Sequence, residues 1–191
     1  MLTKQQLDFL QLVTPPALEQ QRLWGIPACV TIAQAILESS WGASALATHA
    51  NNYFGIKYVA LGFGKDLGPY IAQTWEVVNG EKKVIEAKFQ RYEDLIGAFT
   101  AHSLLLMRPW YKAAYAARSD WKEFAARLGP KTSPLDSEHC GYSTNPNYAA
   151  ELIKLVTLYR LDDPRAQQWY ATGKDPGAGF GTRDSGHGEA A

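Results

Sequence analysis

Ile32-Ala33-Gln34-Ala35-Ile36-Leu37-Glu38-Ser39-Ser40-Trp41-Gly42 is the stretch around which this chain is organised. It closes a segment, from Ala28 to Ser40, that is apolar nearly all round. A helix of that kind is buried in the middle of a domain. Gly42 suits its C-terminal end. Glu38 sits one helical turn beyond Gln34, in surroundings that solvate a carboxylate poorly, and such a group resists ionising. A protonated Glu near neutral pH can act as a general acid toward a leaving oxygen. The competing reading is a surface charge ending an amphipathic helix, since charged residues are mostly exposed. Trp41 can wall the carboxyl as an indole does in lysozyme, a worked example of such tuning, or it can be a packing residue.

Working outward, the N-terminal side is helical. Thr3 with Gln6 three residues on reads as a capping box. Leu7, Phe9, Leu10, Leu12 and Val13 then supply an apolar face. Pro15-Pro16 predicts a break, with a second helix over 17–24. Gly25-Ile26-Pro27 separates this from the buried helix, Pro27 suiting a first turn. On the other side, 43–58 reads as turns around Asn51-Asn52 and Gly55, followed by a loop rich in Gly. Residues 71–78 and 83–90 flank Asn79-Gly80, a strong hairpin signal. Helices are predicted over 95–107, with Leu95, Ile96, Phe99 and Leu104–Leu106 as the apolar face, and over 110–117, 119–128 and 148–159. The architecture expected is α+β, mainly α: a two-lobed domain over 1–165, with a small β-hairpin lobe at about 70–90 flanking a cleft. Residues 166–191 are poor in core-formers and read as a Gly-rich disordered tail.

Composition narrows the function classes. The chain has 191 residues, enough for one domain with a real core, and 19 basic against 19 acidic side chains. That balance gives no global field for nucleic acid or an anionic membrane. No run approaches the roughly 20 apolar residues needed to span a bilayer, and the N-terminus carries no signal-peptide pattern. Cys29 and Cys140 read as two buried thiols rather than a disulfide framework. The four histidines fall into no ligand spacing, so no metal and no cofactor is expected. Six Trp and ten Tyr can line a sugar-binding groove, although many must be core.

A glycan-cutting site needs more than one acid. Glu76, in Thr74-Trp75-Glu76-Val77, is the candidate second carboxylate, on the strand face shared with Thr74. Two carboxyls about 5 Å apart favour retention, and roughly 6.5–9.5 Å leaves room for a water and inversion. An exposed strand charge is the alternative. Tyr142 lies in a turn-rich loop, Gly141-Tyr142-Ser143-Thr144-Asn145-Pro146-Asn147-Tyr148, that can offer a phenol to a sugar. Asn52, Tyr53 and Thr74 are further candidate substrate contacts. Tyr148 is another, although an aromatic plug under its loop is the preferred reading for it, and Phe54 reads as core.

Five segments together resemble the glucosaminidase family, glycoside hydrolase family 73, which includes flagellar peptidoglycan hydrolases and many autolysins. They are Ala33–Gly42, Asn51-Asn52-Tyr53-Phe54-Gly55-Ile56-Lys57, Thr74-Trp75-Glu76 with Asn79-Gly80, Phe89-Gln90-Arg91-Tyr92-Glu93-Asp94, and Gly141–Tyr148. They occur in order, within a match that runs from about Leu2 to Leu161. Gln90 stands where the family often has Arg, and Ser143 where it often has Ala. The resemblance implies a lysozyme-like fold and an endo-β-N-acetylglucosaminidase acting on peptidoglycan glycan strands. It implies Glu38 as general acid, Glu76 as second carboxylate and Tyr142 as active-site tyrosine. It also implies action at the bacterial wall; a monomer is expected, and composition gives no nucleic-acid partner and no membrane span. No rod-binding domain or wall-binding repeat accompanies the motifs, as expected of a phage endolysin or of an excised catalytic domain. Two rival readings of the same fold are a lytic transglycosylase and a catalytically silent wall-binding module.

Overall fold

The computed structural model describes residues 2–59, 67–78, 81–131 and 136–174, with side chains throughout these except at 75–78 and 81–83. The chain forms two compact units. One is built from both ends of the sequence, 1–33 with 107–191; the other is the continuous segment 34–106.

The first unit opens with helix α1, Lys4–Trp24. Thr3 Oγ1 accepts from the Gln6 amide at 3.2 Å, and the Thr3 amide donates to Gln6 Oε1 at 3.0 Å, the reciprocal capping expected. The break expected at Pro15-Pro16 does not occur: α1 is one helix through both prolines. Its buried residues, Phe9, Leu10, Val13, Thr14, Ala17 and Gln20, keep helical spacing straight across the pair. The two lost hydrogen bonds, to the Gln11 and Leu12 carbonyls, fall where Gln11, Leu12, Pro15 and Pro16 are half-buried or exposed, on the wet side where water can serve the carbonyls. Core burial overrides the local penalty.

Helix α2, Ala28–Ser39, begins in the first unit and ends in the second. Every residue from Ala28 to Ile36 is buried, as the all-round apolar pattern requires. The first unit resumes with a 3₁₀ turn, Pro109–Tyr111, and helices α5 (Lys112–Ala116), α6 (Trp121–Arg127), α7 (Tyr148–Tyr159) and α8 (Pro164–Thr172). Helix α7 coincides with its predicted range and buries Tyr148, Leu152 and Val156. Helix α8 replaces the start of the tail expected from 166. Asp163 caps it through the Arg165 amide at 2.8 Å, and Pro164 occupies its first turn. Ala166 and Tyr170 are buried, and α8 packs on α1. The remainder of the expected tail, 175–191, lies outside the described residues. Cys29 and Cys140 are buried free thiols, and burial pushes the Cys29 thiol up to about 12.

The second unit holds α3 (Ala45–Ala50), strands β1 (Pro69–Val78) and β2 (Glu81–Gln90), and α4 (Leu95–Leu106). The strands pair antiparallel from Pro69 opposite Gln90 to Val78 opposite Glu81. The Asn79-Gly80 turn lies outside the described residues. A single antiparallel bridge joins Lys57 to Phe89, with Tyr58 N–H donating to the Lys88 carbonyl and Gln90 N–H to that of Ile56, both at 2.9 Å. Helix α4 buries Ala98, Phe99, Ala101, His102, Ser103 and Leu106, while Ile96 is exposed. The expected apolar face is thus displaced: helical period selects the stripe through Phe99, His102 and Leu106, and the polar His102 and Ser103 ride inside it.

Candidate functional site

Glu38 lies half-buried in the last turn of α2. The backbone beyond it is unusual. Ser40, Trp41 and Gly42 are all left-handed, at φ 51°, 59° and 76°. Side-chain-bearing residues pay about 1 kcal/mol or more for that region, so the turn must be held from outside. Ser39 holds it. Its buried hydroxyl donates to the Ala35 carbonyl at 2.5 Å and accepts the Gly42 amide at 2.8 Å. Trp41 N–H returns to the Ile36 carbonyl at 3.1 Å, and Ser44 N–H to that of Ser39 at 2.9 Å. Ser44 then caps α3 through the Ala47 amide. Sequence reading passed over Ser39; a Ser wedged between a buried helix and a Trp-Gly turn was the available signal. Trp41 itself is half-buried.

The second motif meets the first. Gly55 is left-handed at φ 64°, and a Cβ built there would stand 3.8 Å from Glu38 Oε2. The carboxyl therefore sits against the turn made by Asn52–Gly55. Asn51, left-handed at the end of α3, donates to the carbonyls of Tyr92 and Glu93 at 3.1 and 3.0 Å. Asn52 was expected to contact substrate. It is instead 1% exposed, and its amide is committed to backbone. Nδ2 donates to the Ile56 and Gln90 carbonyls at 2.9 and 2.8 Å. Oδ1 accepts from the Phe54 and Ile56 amides at 3.4 and 3.1 Å. Nothing remains to offer a sugar, so Asn52 shapes the turn that faces Glu38.

The aromatic neighbours divide by depth. Phe54 is core, as expected, edge-on to Phe99 at 4.9 Å and stacked on His102 at 3.9 Å. Burial lowers the His102 imidazole to about 3, so the ring is neutral. Tyr53 is half-buried, tilted on Phe99 at 6.4 Å, with burial raising its phenol. Thr74 is half-buried on β1 opposite Ile85. Glu76 stands opposite Lys83 in the hairpin register, and its side chain lies outside the described residues.

In the first unit, residues 140–142 are tied to 127–129. Cys140 N–H donates to the Arg127 carbonyl at 2.7 Å, Gly141 to Gly129 at 2.9 Å and Tyr142 to Leu128 at 3.1 Å. Asn145 fixes the following turn by accepting the Asn147 amide at 2.9 Å and donating to Glu151 at 3.1 Å. The half-buried Tyr142 ring stacks on Tyr148 at 5.8 Å and 15°. Tyr148, counted among expected substrate contacts, is 2% exposed and supports Tyr142 from beneath. Among the described residues no cluster of His, Cys, Asp and Glu could hold a metal ion, and no helix is long and apolar enough to cross a membrane.

A mainly helical chain with one small hairpin, carrying a half-buried Glu where its most buried helix ends, has the build of lysozyme-like glycoside hydrolase domains. Solved structures of that class align with it. The catalytic domain of the autolysin Auto from Listeria monocytogenes matches with a TM-score of 0.69 and 25% identity, over 84% of this chain and 88% of that one. A C-terminally truncated glycoside hydrolase domain of Salmonella typhimurium FlgJ matches at 0.60 and 30% identity, over 81% and 97%. The chain belongs to the glucosaminidase family, described as mannosyl-glycoprotein endo-beta-N-acetylglucosaminidase, which matches residues 14–161. Curated relatives include the exo-glucosaminidase LytG of Bacillus subtilis, 39% identical over 70% of this chain and 44% of its own length. The peptidoglycan hydrolase FlgJ of Salmonella typhimurium is 29% identical over 88% of this chain and 51% of its own length. The chain thus spans about half the length of these relatives, or less.

Proposed function

We propose that this chain is an endo-β-N-acetylglucosaminidase that hydrolyses the bond between N-acetylglucosamine and N-acetylmuramic acid in bacterial peptidoglycan, acting at the cell wall. The observation that carries the reading is the seat of Glu38: a half-buried carboxyl ending the most buried helix, beside the left-handed Gly55, where an added Cβ would stand 3.8 Å from Oε2. Protonated Glu38 gives its proton to the glycosidic oxygen as that bond breaks and positive charge builds on the sugar ring. The substrate's own acetamido oxygen closes on the anomeric carbon and Glu76 steers it, with Tyr142 as a further contact to the strand. Water then opens this intermediate and returns a proton to Glu38. Asn52, Ser39 and Gly55 act one step back, by fixing where the carboxyl stands.

The test is digestion of purified peptidoglycan with mass spectrometry of the new chain ends. Internal fragments ending in reducing N-acetylglucosamine, each one water heavier than the sum of its residues, are expected. Glu38→Gln should fold normally and lose on the order of 100-fold or more in rate, the usual scale for removing a general acid. Anhydro ends would make the chain a lytic transglycosylase, and release of single terminal units would make it an exo-enzyme. Clearing that survives Glu38→Gln removes Glu38 from the acid role.

A further inference from the structure

Tyr142 and Tyr148 belong to a longer series of rings. Tyr111 lies 6.0 Å from Tyr142 and Trp110 lies 6.4 Å from Tyr111, centroid to centroid. With Tyr142 and Tyr148 at 5.8 Å, every step falls in the range of favourable aromatic pairing. The series climbs outward: Tyr148 is buried, Tyr142 and Tyr111 are half-buried, and Trp110 is 56% exposed. Burial also pushes the Tyr111 phenol up to about 12, so its hydroxyl stays neutral in any working range.

One exposed tryptophan on its own is unremarkable, because folded surfaces carry many single apolar side chains. Its mounting is what distinguishes Trp110. Arg108 is extended (φ −66°, ψ 154°), as a residue before proline must be, and Pro109 fixes the first position of the 3₁₀ turn. The indole therefore projects from a stiff backbone support, which leaves less backbone freedom to lose on binding. The Arg108 guanidinium carbon stands over the indole, 5.6 Å from its centroid and within cation–π range, which places a fork of donors on one face of the ring and assigns a stacking sugar to the other.

That pairing has a definite complement. A pyranose offers an apolar C–H face to a flat ring and hydroxyls at its rim. Peptidoglycan strands add carboxylates, on the lactyl group of muramic acid or on its peptide, and a guanidinium fork suits a carboxylate. We propose that Trp110 and Arg108 form an outer glycan subsite, linked through Tyr111 to Tyr142, that seats one amino-sugar ring of the strand on the indole and one strand carboxylate on the guanidinium. This rests on the peptidoglycan reading above, and it assigns strand recognition to residues outside the family motifs.

The experiment uses the whole chain with two probes, solubilised peptidoglycan strands and a neutral β-1,4-linked N-acetylglucosamine hexamer. Trp110→Ala is expected to raise KM for strands about tenfold, the effect of losing one well-placed anchor ring. Trp110→Tyr should recover most of that loss. Leu12→Ala, at an apolar position in the same unit that is 48% exposed, should leave KM where it was. Arg108→Gln should raise KM for strands yet barely change affinity for the uncharged hexamer. In the Glu38→Gln background the hexamer should quench indole emission, and Trp110→Ala should abolish that quench. A Trp110→Ala variant with wild-type KM and an undiminished quench overturns the subsite. Trp110-dependent quenching in a wild-type chain that cleaves nothing leaves the subsite standing and overturns the catalytic reading. The absence of both cleavage and quenching overturns both.

Discussion

Lowering the pH should weaken the second unit through one imidazole. His102 is fully buried in α4, face to face with Phe54 at 3.9 Å, and burial holds it near 3 against about 6.5 for an unfolded histidine. The native state therefore refuses a proton that the unfolded chain accepts. Stability from this group is complete above about pH 6.5, declines as the pH falls, and stops declining near pH 3. At pH 5 the unfolded state gains RT ln(1 + 10^1.5), about 2 kcal/mol, from protonating this one side chain. A typical domain has only about 5–15 kcal/mol to lose. The measurement is urea unfolding at pH 8, 6.5 and 5 for wild type and His102→Leu. The variant loses the Phe54 stack and starts lower, but its decline from pH 8 to pH 5 should be shallower than that of wild type by about 2 kcal/mol. Carboxylates that titrate near pH 5 do so in both proteins and cancel in the comparison. Parallel declines would refute the argument, and so would a His102 ring proton that titrates near 6.5 in the folded protein. The consequence reaches Glu38, because Phe54 adjoins Gly55, where an added Cβ would stand 3.8 Å from the Glu38 carboxyl.

Two further outcomes follow from the same turn. Asn52→Ala removes four hydrogen bonds and takes a partner from buried or part-buried backbone groups of Phe54, Ile56 and Gln90; a loss of about 3 kcal/mol is expected. At roughly 2–4 °C per kcal/mol, calorimetry should show a Tm lower by about 6–12 °C, and a Tm within about 2 °C of wild type would contradict the role given to Asn52. Gly55→Ala places a left-handed methyl 3.8 Å from Glu38 Oε2; it should cost about 1 kcal/mol of stability while lowering kcat/KM by more than the folded fraction accounts for. Activity that merely tracks the folded fraction would show that space in front of Glu38 does not matter.

The parts of this fold that could be read from sequence are those where one pattern dominates. Helix α2 is apolar on all sides, α7 keeps a clean stripe, and the hairpin joins alternation to an Asn-Gly turn. Where local chemistry and burial disagree, burial decides. Pro15-Pro16 carries a strong local break signal, but Val13, Thr14 and Ala17 pack on either side of it and the helix runs on. The buried face of α4 differs from the expected one because apolar residues surround that helix, and tertiary packing, including Phe54 on Phe99 and His102, fixes which helical stripe goes inside. Helices α3 and α8 are too short for periodicity to show, although Ser44 and the Asp163-Pro164 pair mark their starts. At the site, residue types could be read but directions could not. Asn52 looked like a sugar contact because it is polar and near Glu38; its burial and four backbone bonds are tertiary facts. The left-handed turn beyond Glu38 is legible only at Gly42, since nothing about Ser40 or Trp41 announces that conformation.

The way the first unit is assembled from both flanks of the second bears on how the protein comes into being. Helix α1 packs against α8, and 139 residues lie between Trp24 and Pro164. A ribosome adding about 5–20 residues per second needs roughly 7–28 seconds to bridge that gap. Through that interval the greasy side of α1 has been made and its lasting neighbour has not. The inserted segment 34–106, by contrast, emerges unbroken and holds both strands of its own hairpin. Nascent chains stalled near residue 110 should therefore expose an adhesive leading helix, the stage at which a holding chaperone matters most.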